Sequence, residues 1–292
     1  MNKALFVSIV IRTKNRKEAL QQVIASILAS DYSNYNLVIV DDGSSDGTKE
    51  FLQKHYSQDK RFILIRNEKK ISTAFLYNLG VKHSTGEIIA FTDDDCIVNK
   101  DWLKELTRPF IFSKDVMAVG GLSYVKNTNE PYMYAGGIFG CNMAFRSKIF
   151  EKFSFDPNLK YSHYHDERDL IDRIRKHHFR IWYAERAIVR HFELYNSYRE
   201  NKYFQLGAML NRIYTEAKNV PLAQVLTYHI LMFRRASSLS LELHKEHHFN
   251  IFTASISFLK LFYIVLFEIP VKSQIRHKQE ERMLHRAAGG DI

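Results

Sequence analysis

The first hundred residues alternate between short apolar runs and segments of helical periodicity. Apolar runs at 5–11, 37–40, 62–65 and 87–92 predict four strands. Apolar residues between these runs recur every three or four positions, which predicts helices over 19–28, 51–56 and 72–83. Uninterrupted apolar strands that alternate with helices are typical of a parallel sheet covered on both faces. The pattern therefore predicts an α/β domain with a mostly parallel central sheet.

The pattern changes along the rest of the chain. Glycine-punctuated β segments are expected between 116 and 145, then a helix around Leu170, Ile171 and Ile174, then strands at 180–183 and 187–191. After residue 194 the periodicity is helical throughout. The sequence thus predicts one α/β domain over 1–193 and a helical C-terminal region over 194–292.

The charge of the chain favours an anionic partner. Forty-two Lys and Arg residues against 32 Asp and Glu residues give a formal net charge of +10, with a basic tail at 272–286. No nucleic-acid-binding module accompanies this excess, so no nucleic-acid partner is expected. The preceding run, 251–269, approaches the length of a membrane span but carries Lys260 at its middle, which favours an interfacial or core-packed helix. A peripheral protein on an anionic membrane surface is the expectation.

Cysteines and the N-terminus bear on the compartment. The two cysteines, Cys96 and Cys141, form neither a disulfide framework nor a zinc-site spacing, so they are expected to be small core residues in a reducing compartment. The first apolar run is too short for a signal peptide and is followed at once by Arg12 and Lys14. A cytoplasmic location, at the inner face of the membrane if peripheral, is therefore expected.

Three consecutive aspartates, Asp93, Asp94 and Asp95, follow the fourth predicted strand. Because side chains alternate along a strand, Asp93 and Asp95 are expected on one side and Asp94 on the other. Two carboxylates at the rim of an apolar sheet repel each other unless a cation neutralises them. Oxygen ligands suit Mg²⁺ or Mn²⁺, which is the expected cofactor, with a solvated acidic turn as the alternative.

The second predicted strand also ends in acids, Asp41 and Asp42, before Gly43. Carboxyl ends of parallel strands meet at one ligand-binding edge, and one of these two carboxylates is expected to face it and bind a base or ribose. An Asp-Gly turn with a helix cap at 44–46 is the alternative, and both can hold together. The chain has no glycine-rich phosphate loop, so a metal on the aspartates would hold a diphosphate in its place.

Three segments in order and at the right spacing resemble the family 2 glycosyltransferases, which are inverting enzymes of the GT-A (nucleotide-diphospho-sugar transferase) fold. They are VSIVIRTKNR at 7–16, VDDGSSDGT at 40–48 and GEIIAFTDDDC at 86–96. The resemblance extends to about residue 191. It implies a catalytic domain over 1–193, with a nucleotide-binding half at about 1–98 and an acceptor-binding half at about 99–193. The helical region beyond would associate with membranes or form oligomers.

The resemblance also implies roles for individual residues. The implied donor-binding residues are Thr13, Asn15, Arg16, Asp42, Asp93 and Asp94. The implied metal ligands are Asp93, Asp95 and His191, the last of which has a structural role as its alternative. Glu167 is implied as the catalytic base with Asp166 as runner-up, while an acidic first helical turn is the alternative. Tyr77 stands where relatives often have Arg, so Lys69 or Lys70 would have to supply that charge.

These features together favour an inverting, metal-dependent glycosyltransferase. It would move a sugar from a nucleoside-diphosphate sugar, with UDP favoured, to a hydroxyl of a saccharide or lipid-linked saccharide, as in polysaccharide biosynthesis. Its carboxylate base would activate the acceptor for one displacement at the anomeric carbon. A catalytically inactive nucleotide- or carbohydrate-binding relative is the alternative, and a nucleotidyltransferase is a further one.

Overall fold

The computed structural model describes residues 4–68, 72–125, 137–159 and 166–191, together with several helical positions between 207 and 218. The chain forms two compact units, one of residues 1–156 and 170–193 and the other of residues 157–169 and 194–292. The predicted division of the chain into functional halves remains a prediction.

The described part of the first unit is built on a single mixed sheet. Its strands are β1 (Val7–Thr13), β2 (Tyr35–Asp41), β3 (Phe62–Arg66), β4 (Ile88–Asp93), β5 (Cys96–Val98), β6 (Val116–Val125), β7 (Met143–Arg146) and β8 (Arg180–His191). The helices are α1 (Lys17–Leu28), α2 (Thr48–Tyr56), α3 (Thr73–Lys82), α4 (Trp102–Phe112) and α5 (Asp166–Lys176), with a 3-10 turn at Ser147–Glu151. Helix α5 begins in the second unit and ends in the first.

The strand order is β3-β2-β1-β4-β7-β6-β8-β5. Strands β1 to β4 are mutually parallel, as predicted, and β6 is parallel to β8. Strand β7 runs antiparallel to both of its neighbours, and β5 runs antiparallel to β8. Strand β1 carries Val7, Ile9, Val10 and Ile11 fully buried, as expected of a strand covered on both faces.

Parallel pairing brings the polar strand ends to one edge of the sheet. In the register of β1 with its neighbours, Thr13 lies opposite Asp41 and Arg12 lies opposite Asp93. The chain then turns after β4 into β5, where Cys96 pairs with His191 at the end of β8. Residues distant in sequence are thereby assembled around the aspartates.

Two strands were predicted at 180–183 and 187–191, but the structure has one continuous strand, β8. In place of the expected break, β8 shifts its pairing register with β6. The shift lies between Gly121 and Leu122 of β6. Buried Asn142 spans it, since its Nδ2 donates to the carbonyls of Leu122 (3.0 Å) and Ala187 (2.8 Å). A Cβ on Gly121 would lie 2.4 Å from the Ala187 carbonyl oxygen, so this close approach requires glycine.

Candidate functional site

The aspartate triplet lies at the junction of two strands. Asp93 is the last residue of β4, Asp94 and Asp95 form the turn, and β5 starts at Cys96. Asp94 is 6% exposed and Asp95 is 3% exposed, so both carboxyl groups are almost removed from water. A solvated acidic turn, the alternative expected from the sequence, does not describe these two residues.

Arg16 joins two of the three aspartates. Its Nη1 lies 2.6 Å from Asp95 Oδ2 and 3.2 Å from Asp94 Oδ1. The predicted projection of Asp94 to the side opposite Asp95 is therefore wrong. The strand ends at Asp93, and alternation does not extend into the turn that follows.

His191 reaches the triplet through the pairing of β5 with β8. Its Nε2 lies 3.3 Å from Asp95 Oδ1, and its side chain is 10% exposed. One ligand atom each from Asp93, Asp95, Cys96 and His191 lies within 4.8 Å of the others, which is close enough to share one cation. Burial raises the pKa of the Cys96 thiol well above its ordinary value, and a thiol must lose its proton to bind a metal. The two carboxylates and the imidazole are thus the ligands that fit.

The electrostatics of the triplet also suit a cation. Burial raises the pKa of Asp94 to about 7, with Arg16 acting in the opposite direction and Asp95 adding to the rise. Burial raises the pKa of Asp95 as well, against the lowering effect of His191. Raised carboxyl pKa values mean that the charge of Arg16 does not fully compensate the desolvation of these groups. A divalent ion would supply the missing positive charge.

The two aspartates after β2 have different surroundings. Asp41 is fully buried, where it accepts a hydrogen bond from the Ser44 amide (2.9 Å) and pairs with Arg66 Nη1 (2.7 Å). Asp42 is partly exposed, with Lys14 Nζ and Asn67 Nδ2 each 2.8 Å from its carboxylate. Asp41 is therefore committed to contacts within the fold, and Asp42 is the more accessible carboxylate of the pair. Its predicted contact with a base or ribose remains a prediction.

Asn15 ties the loop after β1 to the loop after β2. It has a left-handed backbone (φ 53), its amide donates to Ser44 Oγ (2.9 Å), and its Oδ1 accepts from the Ser45 amide (2.7 Å). Thr13 is only 3% exposed and lies opposite Asp41 at the end of β1. Both residues border the site, and their predicted contacts with a nucleotide remain predictions.

The expected helix cap at 44–46 is supplied by Asp46. Its carboxylate accepts from the first amide of α1, at Lys17 (2.9 Å), and from the first amide of α2, at Thr48 (3.1 Å). The N-cap residues themselves are Arg16 and Gly47, so this one side chain satisfies a first-turn amide of each helix and ties together the loops that flank Asp42.

Arg12 is a site residue that the sequence reasoning missed. Its Nη2 lies 3.5 Å from Asp93 Oδ1 and 3.0 Å from the Tyr77 hydroxyl, and its guanidinium carbon lies 4.0 Å from the centre of the Tyr77 ring. A cation is therefore present beside Tyr77, where the sequence seemed to lack one. The feature that could have identified Arg12 is the parallel pairing of β1 with β4, which places it opposite Asp93. Lys69 and Lys70, the predicted substitutes, lie outside the described residues.

The predicted base residues lie in the first turn of α5. Asp166 is 1% exposed, whereas Glu167 is partly exposed. In the same turn the carboxylate of Asp169 is fully buried and lies 2.5 Å from the equally buried Lys218 Nζ. No local sequence pattern predicts this ion pair between residues 49 positions apart. The catalytic roles of Glu167 and Asp166 stay predictions.

The predicted membrane contacts fall largely outside the structure. Residues 251–269 and the basic tail at 272–286 are not among the described residues. Within the part of the chain that is described, no helix combines the length and the apolar character needed to cross a bilayer.

Known proteins resemble this chain in sequence. The model for the family described as Glycosyl transferase family 2 matches residues 8–173. Glycosyltransferase AglE of Haloferax volcanii is 37% identical over 102 residues, which cover 34% of this chain and 33% of AglE. Glycosyltransferase GlyG of Streptococcus pneumoniae is 29% identical over 133 residues, or 45% of this chain and 44% of GlyG. The matches therefore span between a third and a half of these relatives.

Solved structures share the fold. A mannosyltransferase of Pyrobaculum calidifontis, in complex with GDP-Man and Mn²⁺, superposes with a TM-score of 0.62 at 15% identity, covering 98% of this chain and 87% of that one. GalNAc-T7 with UDP, GalNAc and Mn²⁺ gives 0.58 at 17% identity, covering 75% of this chain and 51% of the other. At such identities the likeness establishes the fold, and the fold is the one that the sequence predicted.

Proposed function

We propose, because the chain belongs to glycosyltransferase family 2, that it transfers a sugar from a nucleoside-diphosphate sugar to an acceptor hydroxyl. The observation that carries the proposal is the group formed by Asp93, Asp95 and His191, whose ligand atoms lie within 4.8 Å of one another at the carboxyl edge of the sheet. This edge is where parallel α/β sheets bind their ligands.

The metal of this reaction would be held by Asp93, Asp95 and His191. When bound there, Mn²⁺ or Mg²⁺ would supply positive charge to offset the charge that develops on the departing nucleoside diphosphate. Imidazole suits Mn²⁺ better than Mg²⁺, so Mn²⁺ is the better match to this donor set. The Mn²⁺ in both solved neighbours supports the same choice.

The protein's own cations and acids would hold the donor. Arg12 and Arg16 place two guanidinium groups at the triplet, where they would donate hydrogen bonds to diphosphate oxygens. Asp42 would accept hydrogen bonds from the base or ribose, at a partly exposed position held by Lys14 and Asn67. The resemblance favours UDP, while the solved neighbours hold GDP-Man in one case and UDP in the other. Both bases therefore enter the test.

Glu167 is the proposed general base. It would accept the proton of the acceptor hydroxyl as that oxygen attacks the anomeric carbon, and a single attack opposite the leaving group inverts the configuration. Its partial exposure suits contact with an acceptor better than the near-complete burial of Asp166. The proposed acceptor is a saccharide or lipid-linked saccharide.

A thermal-shift screen against UDP, GDP and their sugar conjugates, with and without Mn²⁺, tests the donor class. One nucleotide should raise the melting temperature, and more so with metal. Glu167→Gln should keep this shift and lose transfer, while Glu50→Gln, in the first turn of α2, should keep both. Binding without transfer to any acceptor or to water would instead indicate an inactive relative. Pyrophosphate release from nucleoside triphosphates would indicate a nucleotidyltransferase.

A further inference from the structure

A basic depression lies near the start of β8, far from the aspartates. It is a cavity of about 440 Å³ whose lining includes Arg175, His178, Arg180 and Trp182 and contains no acidic residue. Trp182 precedes His191 by nine residues on the same strand, which corresponds to roughly 30 Å at the rise of a β-strand. The depression is therefore separate from the candidate donor site.

Trp182 is unusually open to solvent for a large aromatic residue. It is 51% exposed at a point where its strand pairs with Val119 of β6, while β5 pairs only with residues 189–191. Side chains alternate along a strand, so Trp182 and Arg180 point to the same face of the sheet. A half-exposed indole beside a guanidinium suits a boundary between water and an apolar phase.

His178 lines the same depression with an unfavourable backbone. Helix α5 ends in a Schellman motif, in which the His178 amide bonds to the Arg175 carbonyl (2.9 Å) and the Phe179 amide to the Ile174 carbonyl (3.3 Å). His178 occupies the left-handed position of this motif (φ 60), where glycine is the usual residue because it has no Cβ. Histidine adopts this conformation more readily than most side chains, and here it adds an imidazole to the basic lining of the depression.

The helix dipole explains only part of this basic surface. Arg175 and Lys176, both exposed, occupy the last turn of α5, where positive charge stabilises the helix end. This effect falls off within one turn, and it accounts neither for Arg180 on the strand nor for the exposure of Trp182.

We propose that this basic depression docks the protein on an anionic membrane surface. Phosphate groups of the lipids would lie in the cavity against Arg175, His178 and Arg180, with the Trp182 indole at the level of the headgroups. The formal net charge of +10 draws the chain toward such a surface. The contact is peripheral and does not depend on the proposed transfer reaction.

The two tryptophans of the chain make the docking observable. Trp102 is fully buried, so collisional quenching and solvent-dependent emission report on Trp182. The full chain is titrated with vesicles of phosphatidylglycerol and phosphatidylcholine, with vesicles of phosphatidylcholine alone, and with inorganic phosphate. The expected result is a blue shift and protection from acrylamide with the anionic vesicles only.

Matched variants assign the surface. Arg108 is a matched control for Arg175, because both lie on helices and pair with an acid three residues earlier. Arg175 lies 3.7 Å from Asp172 with its side chain 52% exposed, and Arg108 lies 3.6 Å from Glu105 with its side chain 54% exposed. The double variant Arg175→Gln/Arg180→Gln should bind anionic vesicles roughly 25-fold more weakly, at about five-fold per charge. Arg61→Gln/Arg108→Gln should change affinity less than two-fold. His178→Gly should weaken binding without lowering the melting temperature, because it relieves the left-handed strain.

Three results would overturn the proposal. Vesicle binding with unchanged Trp182 emission would place the contact elsewhere on the chain. Equal losses in the two double variants would reduce the effect to net charge. An equal response to inorganic phosphate would make the cavity a site for soluble anions rather than a membrane contact.

Discussion

Arg16 Nη1 lies 2.6 Å from Asp95 Oδ2, so the carboxylate best placed to bind a metal already has a cation as its partner. The same nitrogen lies 3.2 Å from Asp94 Oδ1. Two almost fully buried carboxylates therefore share one guanidinium. A metal ion and Arg16 must compete for Asp95, and a diphosphate would offer Arg16 another anionic partner.

Removing the Arg16 charge should separate the binding of metal from the binding of nucleotide. In Arg16→Gln, Mn²⁺ should bind roughly ten-fold more tightly without nucleotide, because no cation competes for Asp95. Nucleoside diphosphate should bind more weakly to the same variant, because a phosphate ligand is lost. Isothermal titration with each ligand measures both effects. Arg61→Gln, which removes an exposed pair with Asp59, is the control, and weaker Mn²⁺ binding by Arg16→Gln would contradict the competition.

The raised pKa of Asp94 predicts how stability depends on pH. Its folded pKa of about 7 lies above the unfolded value, so its contribution is complete below the unfolded pKa and is lost as pH rises through 7. Between pH 5 and 8 the free energy of unfolding of the metal-free wild type should therefore fall by about 3 kcal/mol more than that of Asp94→Asn. Urea unfolding at the two pH values measures the difference. Asp115→Asn, at an exposed carboxylate, should behave as the wild type, and parallel pH profiles of wild type and Asp94→Asn would refute the assignment.

Tyr77 is expected to position Arg12 for the donor. Tyr77→Phe keeps the ring beneath the guanidinium and removes only the hydroxyl, so nucleotide affinity should fall about two-fold. Tyr77→Leu removes the ring, and affinity should fall about ten-fold as Arg12 loses its orientation. Because Tyr77 also stacks on Phe155 with ring centres 4.6 Å apart, Tyr77→Leu should lower stability too. Tyr56→Leu breaks a comparable stack on Phe62 (4.1 Å) and should leave nucleotide binding intact.

Asn142 should be among the most sensitive positions for stability. Its Oδ1 accepts from Trp102 Nε1 (2.9 Å), and its Nδ2 donates to two carbonyls at the register shift between β6 and β8. Asn142→Ala leaves these buried groups unpaired and should cost about 3 kcal/mol in the free energy of unfolding. Asn34→Ala, which breaks one exposed bond to the Ala4 carbonyl, should cost less than about 1 kcal/mol. Equal losses of stability in the two variants would show that the register shift between β6 and β8 does not depend on Asn142.

Local patterns in the sequence were enough to predict strands β1 to β4 and the positions of the acids that follow them. Each of these features depends on a run of adjacent residues, and buried parallel strands give a strong apolar signal. The three-residue β5 is too short for any periodicity, and Pro109 interrupts the helical signal of α4.

The contacts that shape the site could not be read in this way. The approach of Arg12 to Asp93 depends on how β1 pairs with β4, and that of Arg16 to Asp95 depends on the turn after β4. His191 joins the triplet only because β5 folds back on β8, nearly a hundred residues later in the chain. The resemblance to the family was the basis for predicting His191 as a metal ligand. The apolar pattern of the sequence alone would have indicated an ordinary strand residue.

Direct measurement of Mn²⁺ binding tests the central claim that Asp93, Asp95 and His191 form a metal site. Electron paramagnetic resonance follows free Mn²⁺ during titration of the wild type, Asp95→Asn and the control Asp59→Asn, a partly exposed aspartate paired with Arg61. We predict one Mn²⁺ per chain for the wild type and the control, and at least ~100-fold weaker binding for a folded Asp95→Asn. Unchanged Mn²⁺ binding by Asp95→Asn would contradict the account.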